Sequence, residues 1–334
     1  MEYKFEFRSY QRKFQIPVKT SHGTWDLREG IILRLTDEKG KQGFGEIAPV
    51  SWLGSETLEQ ALDFCRQLPT VITPANIFSI PEELPACQFG IESAWEELST
   101  HALTLSGMPL EELPDPTSEP QIFSGLLPAG QAAVLARKIL WKKGYRTFKW
   151  KIGVVPIELE LQILEQLVKS ILEDFVADEP ISIRLDANGG LNEVEASEWL
   201  KFCDQAGKII EFLEQPLPVD QLDRMKQLRD RFSTPIALDE SAITLRQMNA
   251  VYSNGWRGIF VIKPSIAGSP SEIRRFCRKP VDVVFSSVFE TDVGRTAALR
   301  LAAEFNSKQD RALGFGVDRW LDDNFDVNQL WESE

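Results

Sequence analysis

The chain has 334 residues, room for about two domains and for a core that needs no disulfide or metal staple. Hydrophobic residues make up 43% and charged residues 26%, a globular balance that excludes a mainly disordered chain, a collagen-like fibre and a coiled coil. With 37 Lys and Arg against 50 Asp and Glu, the formal charge is −13, so nucleic acid and anionic membrane surfaces are not expected partners.

No apolar run approaches the roughly 18 residues of a membrane-spanning helix. The N-terminal segment MEYKFEFRSYQRKF alternates charged and aromatic residues and lacks the apolar centre of a signal peptide. Cys65, Cys87, Cys203 and Cys277 are far apart and form no CxxC, which reads as free buried thiols in a reducing compartment. The expected location is the cytoplasm.

Residues 3–50 read as strands, with period-two patches on either side of the turn signal Asp37-Glu38-Lys39-Gly40. Residues 56–68 and 90–105 read as helices, the second carrying Ile91, Trp95 and Leu98 at helical spacing. Strands followed by helices predict an α+β unit over residues 1–115. Leu113–Pro120 holds three prolines in eight residues and reads as a linker.

Beyond it the pattern changes. Short apolar, β-branched runs recur at 122–128, 146–153, 181–188, 209–216, 235–241, 258–265, 281–287 and 312–316, with helical patterns between them. Leu164, Leu167, Val168 and Ile171 mark one of those helices, and Ala297, Leu299, Leu301 and Ala302 another. Alternating strands and helices imply right-handed crossovers and a parallel sheet, and eight units over 120–316 predict a closed (β/α)8-type barrel. No GxGxxG follows any strand, so a dinucleotide-binding sheet lacks its fingerprint.

In such a barrel, chemistry collects at the C-terminal strand ends. Here those ends are polar: Lys149 and Lys151 on the second strand, Asp186 and Asn188 on the third, Glu214 on the fourth, Asp239-Glu240-Ser241 on the fifth, Lys263 on the sixth, and Ser286-Ser287 with Glu290 after the seventh. Alternation puts Lys149 and Lys151 on one face and turns Trp150 outward toward the helices. Asp186, Glu214 and Asp239 converge from neighbouring strands, where their charges repel unless a cation sits between them. Oxygen ligands alone favour a hard ion, Mg2+ or Mn2+. A lysine with its ordinary pKa of about 10.4 is a poor base, but a neighbouring ammonium or metal disfavours its charged form. Lysines on either side of a metal-held carboxylate suit α-proton abstraction.

Taken singly, an acid after a strand more often caps the next helix and a lysine more often lies in solvent. Five successive strand ends in the order Lys, Asp, Glu, Asp, Lys do not fit that bland reading. Gly45-Glu46 and Gly314-Phe315-Gly316 read as turn or close-packing glycines rather than phosphate loops. His22 and His101 both precede the barrel, which leaves no histidine for a Ser-His-Asp or Cys-His hydrolase site there.

This order of residues resembles the enolase superfamily, and within it the muconate-lactonising subgroup. The resemblance covers nearly the whole chain. The segments IRLDANGG, FLEQPL, ALDES, VIKPSIAG and SSVFETDVG further resemble the o-succinylbenzoate synthase family. The resemblance implies a modified TIM barrel, (β/α)7β, with an N-terminal α+β capping domain onto which the tail 317–334 packs back. It implies Mg2+, with Mn2+ as a substitute, on Asp186, Glu214 and Asp239. It implies a small-molecule carboxylate substrate and syn dehydration of 2-succinyl-6-hydroxy-2,4-cyclohexadiene-1-carboxylate in menaquinone or phylloquinone synthesis, by a monomer or small homo-oligomer. In that scheme Lys151 is the base, Lys263 stabilises the opposite face, and Lys149 tunes Lys151. Asn188 and Glu240 orient these groups. Arg184, Ser286, Ser287 and the backbone after Gly268 belong to the pocket or its support. The loops around Gly23 and at Val50–Gly54 are expected to close over the substrate.

An N-acylamino acid racemase on the same scaffold is the nearest rival. Dipeptide epimerases usually add an Asp-x-Asp near the last strands, and 285–316 has none. A Schiff-base aldolase would need no carboxylate triad. A dead barrel serving as an interaction module would not keep every catalytic-type position filled. The spacing from Lys151 to Asp186 is longer than in compact members, which leaves the second helix and its following loop unspecified.

Overall fold

A computed structural model describes residues 1–20, 23–98, 123–173, 181–306, 311–317, 320 and 326–332. The proposed linker at 113–120, His22 and His101 lie outside the described residues. None of the described helices is long and apolar enough to cross a membrane.

The first unit is built on a long hairpin, β1 (Tyr3–Thr20) and β2 (Gly23–Thr36), flanked by β3 (Gln42–Ile47) and the short β4 (Val71–Ile72) in the antiparallel order β3-β2-β1-β4. Period-two alternation sends Ile31, Leu33 and Leu35 to one face, where Leu33 lies opposite Phe7 and Leu35 opposite Phe5. That face is covered by α1 (Leu58–Gln67), α2 (Pro74–Phe78) and α3 (Pro85–Leu98). The pattern of 56–68 foresaw α1; that of 90–105 foresaw α3 over 90–98, but the helix begins five residues earlier at Pro85, and 99–105 lie outside the described residues; β4 and α2 are too short to register as periodicity. α1 starts at a capping box in which Thr57 and Gln60 satisfy each other's backbone N–H. α3 rests almost directly on the β3 backbone: a Cβ at Gly45 would lie 2.0 Å from the Gly90 carbonyl oxygen, and one at Gly43 2.3 Å from that of Ala94.

The second unit contains all eight expected strands: β5 (Phe123–Leu127), β6 (Thr147–Lys151), β7 (Ser182–Asp186), β8 (Ile210–Glu214), β9 (Ile236–Leu238), β10 (Ile259–Ile262), β11 (Asp282–Phe285) and β12 (Leu313–Gly316). They form one sheet in the order β11-β10-β9-β8-β7-β6-β5-β12, parallel at every ladder. A parallel bridge between Ser286 and Gly314, with the Ser287 N–H donating to the Gly314 oxygen at 3.1 Å, joins β11 to β12 and closes the ring. Seven crossovers carry helices: α4 (Ala132–Lys142), α5 (Ile157–Glu173), α6 (Glu193–Ala206), α7 (Leu222–Arg231), α8 (Leu245–Ser253), the pair α9 (Pro264–Ala267) and α10 (Pro270–Cys277), and α11 (Asp292–Asn306). The architecture is therefore a (β/α)7β barrel, and the glycines of 314–316 serve closure: a Cβ at Gly316 would lie 2.3 Å from the Ser124 oxygen.

Trp150 points outward, as alternation requires, and meets Trp199 of α6 edge-on at 6.3 Å. The apolar core of the first unit also takes in Ile266 of α9 and Ile243 and Val288 from loops of the barrel, so the two units share one buried apolar seam. Polar contacts flank it. The Ser271 N–H donates to Glu92 of α3 at 2.7 Å, and Arg274 of α10 pairs with Glu96 of α3 and Glu304 of α11. At the far end of the chain the Trp331 ring lies against the Arg8 and Arg34 guanidiniums, 4.8 Å and 4.1 Å from its centroid, which ties the last described residues to the hairpin.

The direct seating of α3 on β3 leaves no room for a methyl group. Gly45→Ala should lower the unfolding free energy by about 3 kcal/mol, read as a shift in the urea midpoint. A change within about 0.5 kcal/mol would contradict this packing.

Candidate active site

The barrel's register brings the polar strand ends together. Lys151 pairs with Asp186 across β6 and β7, and Asp186 pairs with Glu214 across β7 and β8. Asp239 follows the end of β9 and Lys263 the end of β10. The Lys149 Nζ lies 2.8 Å from Asp186 Oδ2 and 2.8 Å from Glu214 Oε1, while Lys263 is hydrogen-bonded to Asp239. Lys151 reaches the cavity without an ion-pair partner among the described residues.

Three buried carboxyl groups, Asp186, Glu214 and Asp239, and the half-buried Glu240 face these lysines. Burial pushes Glu214 well above the ordinary carboxylate range, with Asp186 adding to the effect and Lys149 opposing it. Burial also raises Asp239, but Lys263 and Lys149 outweigh it and hold that group low. Glu240 is pushed up to about 7, by burial first and then by Asp239 and Asp186. Its Oε1 accepts from the Asn188 amide at 3.1 Å, and its buried Oε2 has no partner among the described residues. Burial lowers Lys149 and Lys263, yet the acids around each prevail and keep both above the ordinary lysine range.

Gln215 organises this cluster, a role that its place in the Glu-Gln-Pro segment did not reveal. It is fully buried and holds a left-handed φ of 38°. Its Oε1 accepts from the Asp239 and Ser241 N–H groups at 3.2 and 3.1 Å, and its Nε2 donates to Ser241 Oγ at 2.7 Å and to the Leu217 oxygen at 2.9 Å. Its backbone N–H meets the Ala237 oxygen at 2.8 Å, and its own carbonyl accepts from Gly189 at 2.7 Å. One residue thereby spaces the loops that carry Asp186, Glu214 and Asp239.

Above the cluster opens a cavity of about 750 Å³. Its polar floor includes Lys149, Lys151, Asp186, Asn188, Asp239, Glu240 and Lys263, and Ser286 and Ser287 stand on one wall. Its roof is apolar and comes largely from the first unit, through Pro17, Val18, Trp25, Trp52 and Leu53. Trp25 packs edge-on against Trp52 at 4.9 Å and against Phe289 at 5.6 Å. The segments expected to cover the substrate therefore border the cavity at Trp25 and at Trp52-Leu53.

Two expected pocket residues lie elsewhere. Arg184 is buried beneath the cluster, where its Nε and Nη2 donate to Glu211 at 2.7 and 3.1 Å. Glu211 also accepts from Arg311 at 2.7 Å, so Arg184 belongs to an ion-pair network inside the barrel. The β7–β8 register slips between Ile183 and Arg184, and this slip sets the pairing. Gly268, after α9, packs toward Leu245 and Gln88 rather than the cavity: a Cβ there would lie 2.7 Å from Leu245 Cδ1.

No three His, Cys, Asp or Glu side chains among the described residues are drawn onto a single metal position. Asp186, Glu214 and Asp239 are turned instead onto lysines. Their chemistry nevertheless fits a hard divalent ion: all donors are oxygen, they end neighbouring strands, and the buried carboxyl groups exceed the ammonium groups that face them.

Two family models match the chain, one described as Enolase C-terminal domain-like over residues 131–331 and one as MenC, N-terminal domain over 6–98. The o-succinylbenzoate synthase of Thermosynechococcus vestitus is 38% identical over 321 residues, which is 95% of this chain and 93% of that protein. A crystal structure of o-succinylbenzoate synthase from Thermosynechococcus elongatus BP-1, complexed with Mg in the active site, superposes with a TM-score of 0.83 at 36% identity, covering 99% of this chain and 100% of that one. The L-Ala-D/L-Glu epimerase of Bacillus subtilis is 26% identical over 310 residues, 86% of this chain and 81% of that protein.

Two measurements check this geometry. Gln215→Leu leaves the buried Asp239 and Ser241 N–H groups without their acceptor, and should cost about 3 kcal/mol in urea unfolding and weaken Mg2+ binding by calorimetry. Glu240 binds its proton more tightly in the folded state than its ordinary value of 4.5. Its contribution is therefore complete below pH 4.5 and is lost as pH rises through about 7. In EDTA-treated protein the fall in stability across that window should be smaller for Glu240→Gln than for the unsubstituted chain. Parallel profiles would show that Glu240 does not titrate there.

Proposed function

The chain belongs to the o-succinylbenzoate synthase family of the enolase superfamily, and from that membership and the site's geometry we infer that it is a Mg2+-dependent lyase. It dehydrates 2-succinyl-6-hydroxy-2,4-cyclohexadiene-1-carboxylate to o-succinylbenzoate and water, a step of menaquinone or phylloquinone synthesis. The observation that carries this reading is the floor of the cavity, where Lys151, without an ion-pair partner among the described residues, stands in register with the buried Asp186 and Glu214.

Asp186, Glu214 and Asp239 would hold the metal ion. When bound, Mg2+ supplies fixed positive charge that acidifies the carbon next to a carboxylate. Lys151 in its neutral form takes the proton from ring C1. The C–H electron pair moves toward the carboxylate, then forms the new ring double bond as the C6–O bond breaks. The proton held by Lys151 leaves with that hydroxyl as water, on the same face of the ring. Lys263 comes from β10, across the mouth from β6, and its ammonium stabilises negative charge on the opposite face. Lys149 holds Asp186 and Glu214 in place, and Asn188 steadies Glu240. The apolar roof excludes water and accepts the succinyl arm. Aromatisation of the ring makes the elimination favourable, so the pocket can be loosely specified and still support turnover. The acidic charge and the free thiols, buried at Cys65, Cys87 and Cys203, suit a cytoplasmic protein without nucleic-acid or membrane partners.

A racemase reading keeps the same lysines and metal, with both lysines acting as bases. The relation to an epimerase keeps that reading open to test. Loss of the cyclohexadiene absorbance should require Mg2+, stop in EDTA, and fall by about a thousandfold or more in Lys151→Ala. No turnover by folded, metal-loaded protein would sink the dehydratase reading and turn attention to α-proton exchange in deuterated water.

A further inference from the structure

Glu46, at the end of the Gly-Phe-Gly-Glu run of β3, is fully buried yet lies outside the cavity. It crosses the seam between the two units and ends on the barrel. Its carboxylate accepts from the Thr291 N–H at 3.0 and 2.9 Å, from the Gly294 N–H at 2.9 Å and from the Thr291 hydroxyl. From its own unit it accepts the Tyr10 hydroxyl at 2.5 Å. The fit is tight enough that a Cβ at Gly294 would lie 2.8 Å from Glu46 Oε2.

The segment immediately before Thr291 forms a wall of the cavity. Ser287 donates its hydroxyl to Glu290 Oε2 at 3.0 Å and accepts from the Phe289 N–H at 2.9 Å, while the Val288 N–H reaches the same Glu290 oxygen at 2.7 Å. Phe289 holds a φ of 61°, strained for a side chain branching into an aromatic ring, and places that ring against Phe14 and Trp25. Such a turn persists only where its surroundings fix both ends. The closing bridge of the barrel fixes one end at Ser286-Ser287, and Glu46 fixes the other at Thr291.

We propose that Glu46 is a positioning residue: reaching across from the first unit, it sets the conformation of Ser287–Thr291 and so places the Ser287 hydroxyl and the Phe289 ring at the cavity wall. This goes beyond the reaction assigned above and gives the first unit a polar hold on the barrel's wall in addition to its apolar roof.

Three variants test it. Glu46→Gln keeps the volume but turns an amide N–H2 toward backbone donors. Thr291→Val removes one donor and leaves Glu46 in place. Tyr10→Phe removes a bond to Glu46 from the opposite side, away from the cavity. Hydrogen exchange over residues 286–294 should quicken about tenfold in the first two and stay unchanged in Tyr10→Phe. In the dehydration assay KM should rise about tenfold in the first two with kcat within about threefold, while Tyr10→Phe keeps both. Lower melting temperatures in all three, with local exchange and KM unmoved, would overturn the proposal and leave Glu46 a structural bolt. If Glu46→Gln does not fold, Thr291→Val decides the same comparison. If the unsubstituted protein turns over no substrate, the functional reading fails, and the exchange comparison still decides the role of Glu46.

Discussion

The structure depends on the placing of negative charge at the mouth of the barrel. Asp186, Glu214 and Asp239 are drawn out of water at the ends of neighbouring strands, with the half-buried Glu240 beside them, a crowding of like charge that is costly unless something opposes it. Lys149 and Lys263 oppose it directly, each held by the acids more firmly than burial can loosen it. Among the described residues Lys151 stands apart from this pairing: it borders the cavity and makes no ion pair, whereas Lys149 is tied to two carboxylates. The surrounding scaffold exists to hold this division of labour, and Gln215 does so through backbone spacing rather than charge.

The polar floor and apolar roof of the cavity come from different parts of the chain. The floor is strand-end chemistry on a closed sheet, rigid because every strand has two neighbours. Within the apolar roof Trp25 packs on Trp52 and on Phe289 of the barrel, with Phe14 against Trp25 and Phe289, so the aromatic group comes from both sides of the seam. Apolar contact is non-directional and tolerates small displacements, which suits a cover over a bulky ring with a flexible arm. Carboxylates at the seam add direction. Glu92 receives an N–H at the start of α10 and Glu46 receives two at the start of α11, so acids of the first unit fix where barrel helices begin.

Much of this was legible from the sequence because the signals are local or periodic. Each barrel strand is a short apolar run with turn residues at its ends, and each acid or lysine of the floor sits at a fixed offset from that run. Alternation alone sent Trp150 outward to Trp199. Arg184 shows the limit of alternation. It shares a strand with Asp186 and points to the same interior, but it lies a layer lower, and a register slip gives it to Glu211. Gly268 follows Lys263 closely in sequence, yet the short helix α9 turns the chain away from the cavity before reaching it.

The sequence by itself determined the (β/α) order, the row of strand-end acids and lysines, and the family, because these follow from residue type and spacing along one strand. Only the tertiary structure decided which lysines pair with the acids, how Gln215 spaces three loops, and how Glu46 meets Thr291 across 245 positions of chain. Those contacts depend on register between strands and on the docking of one unit against the other. Distances of that kind are set by the packing of many residues at once, and no short segment encodes them.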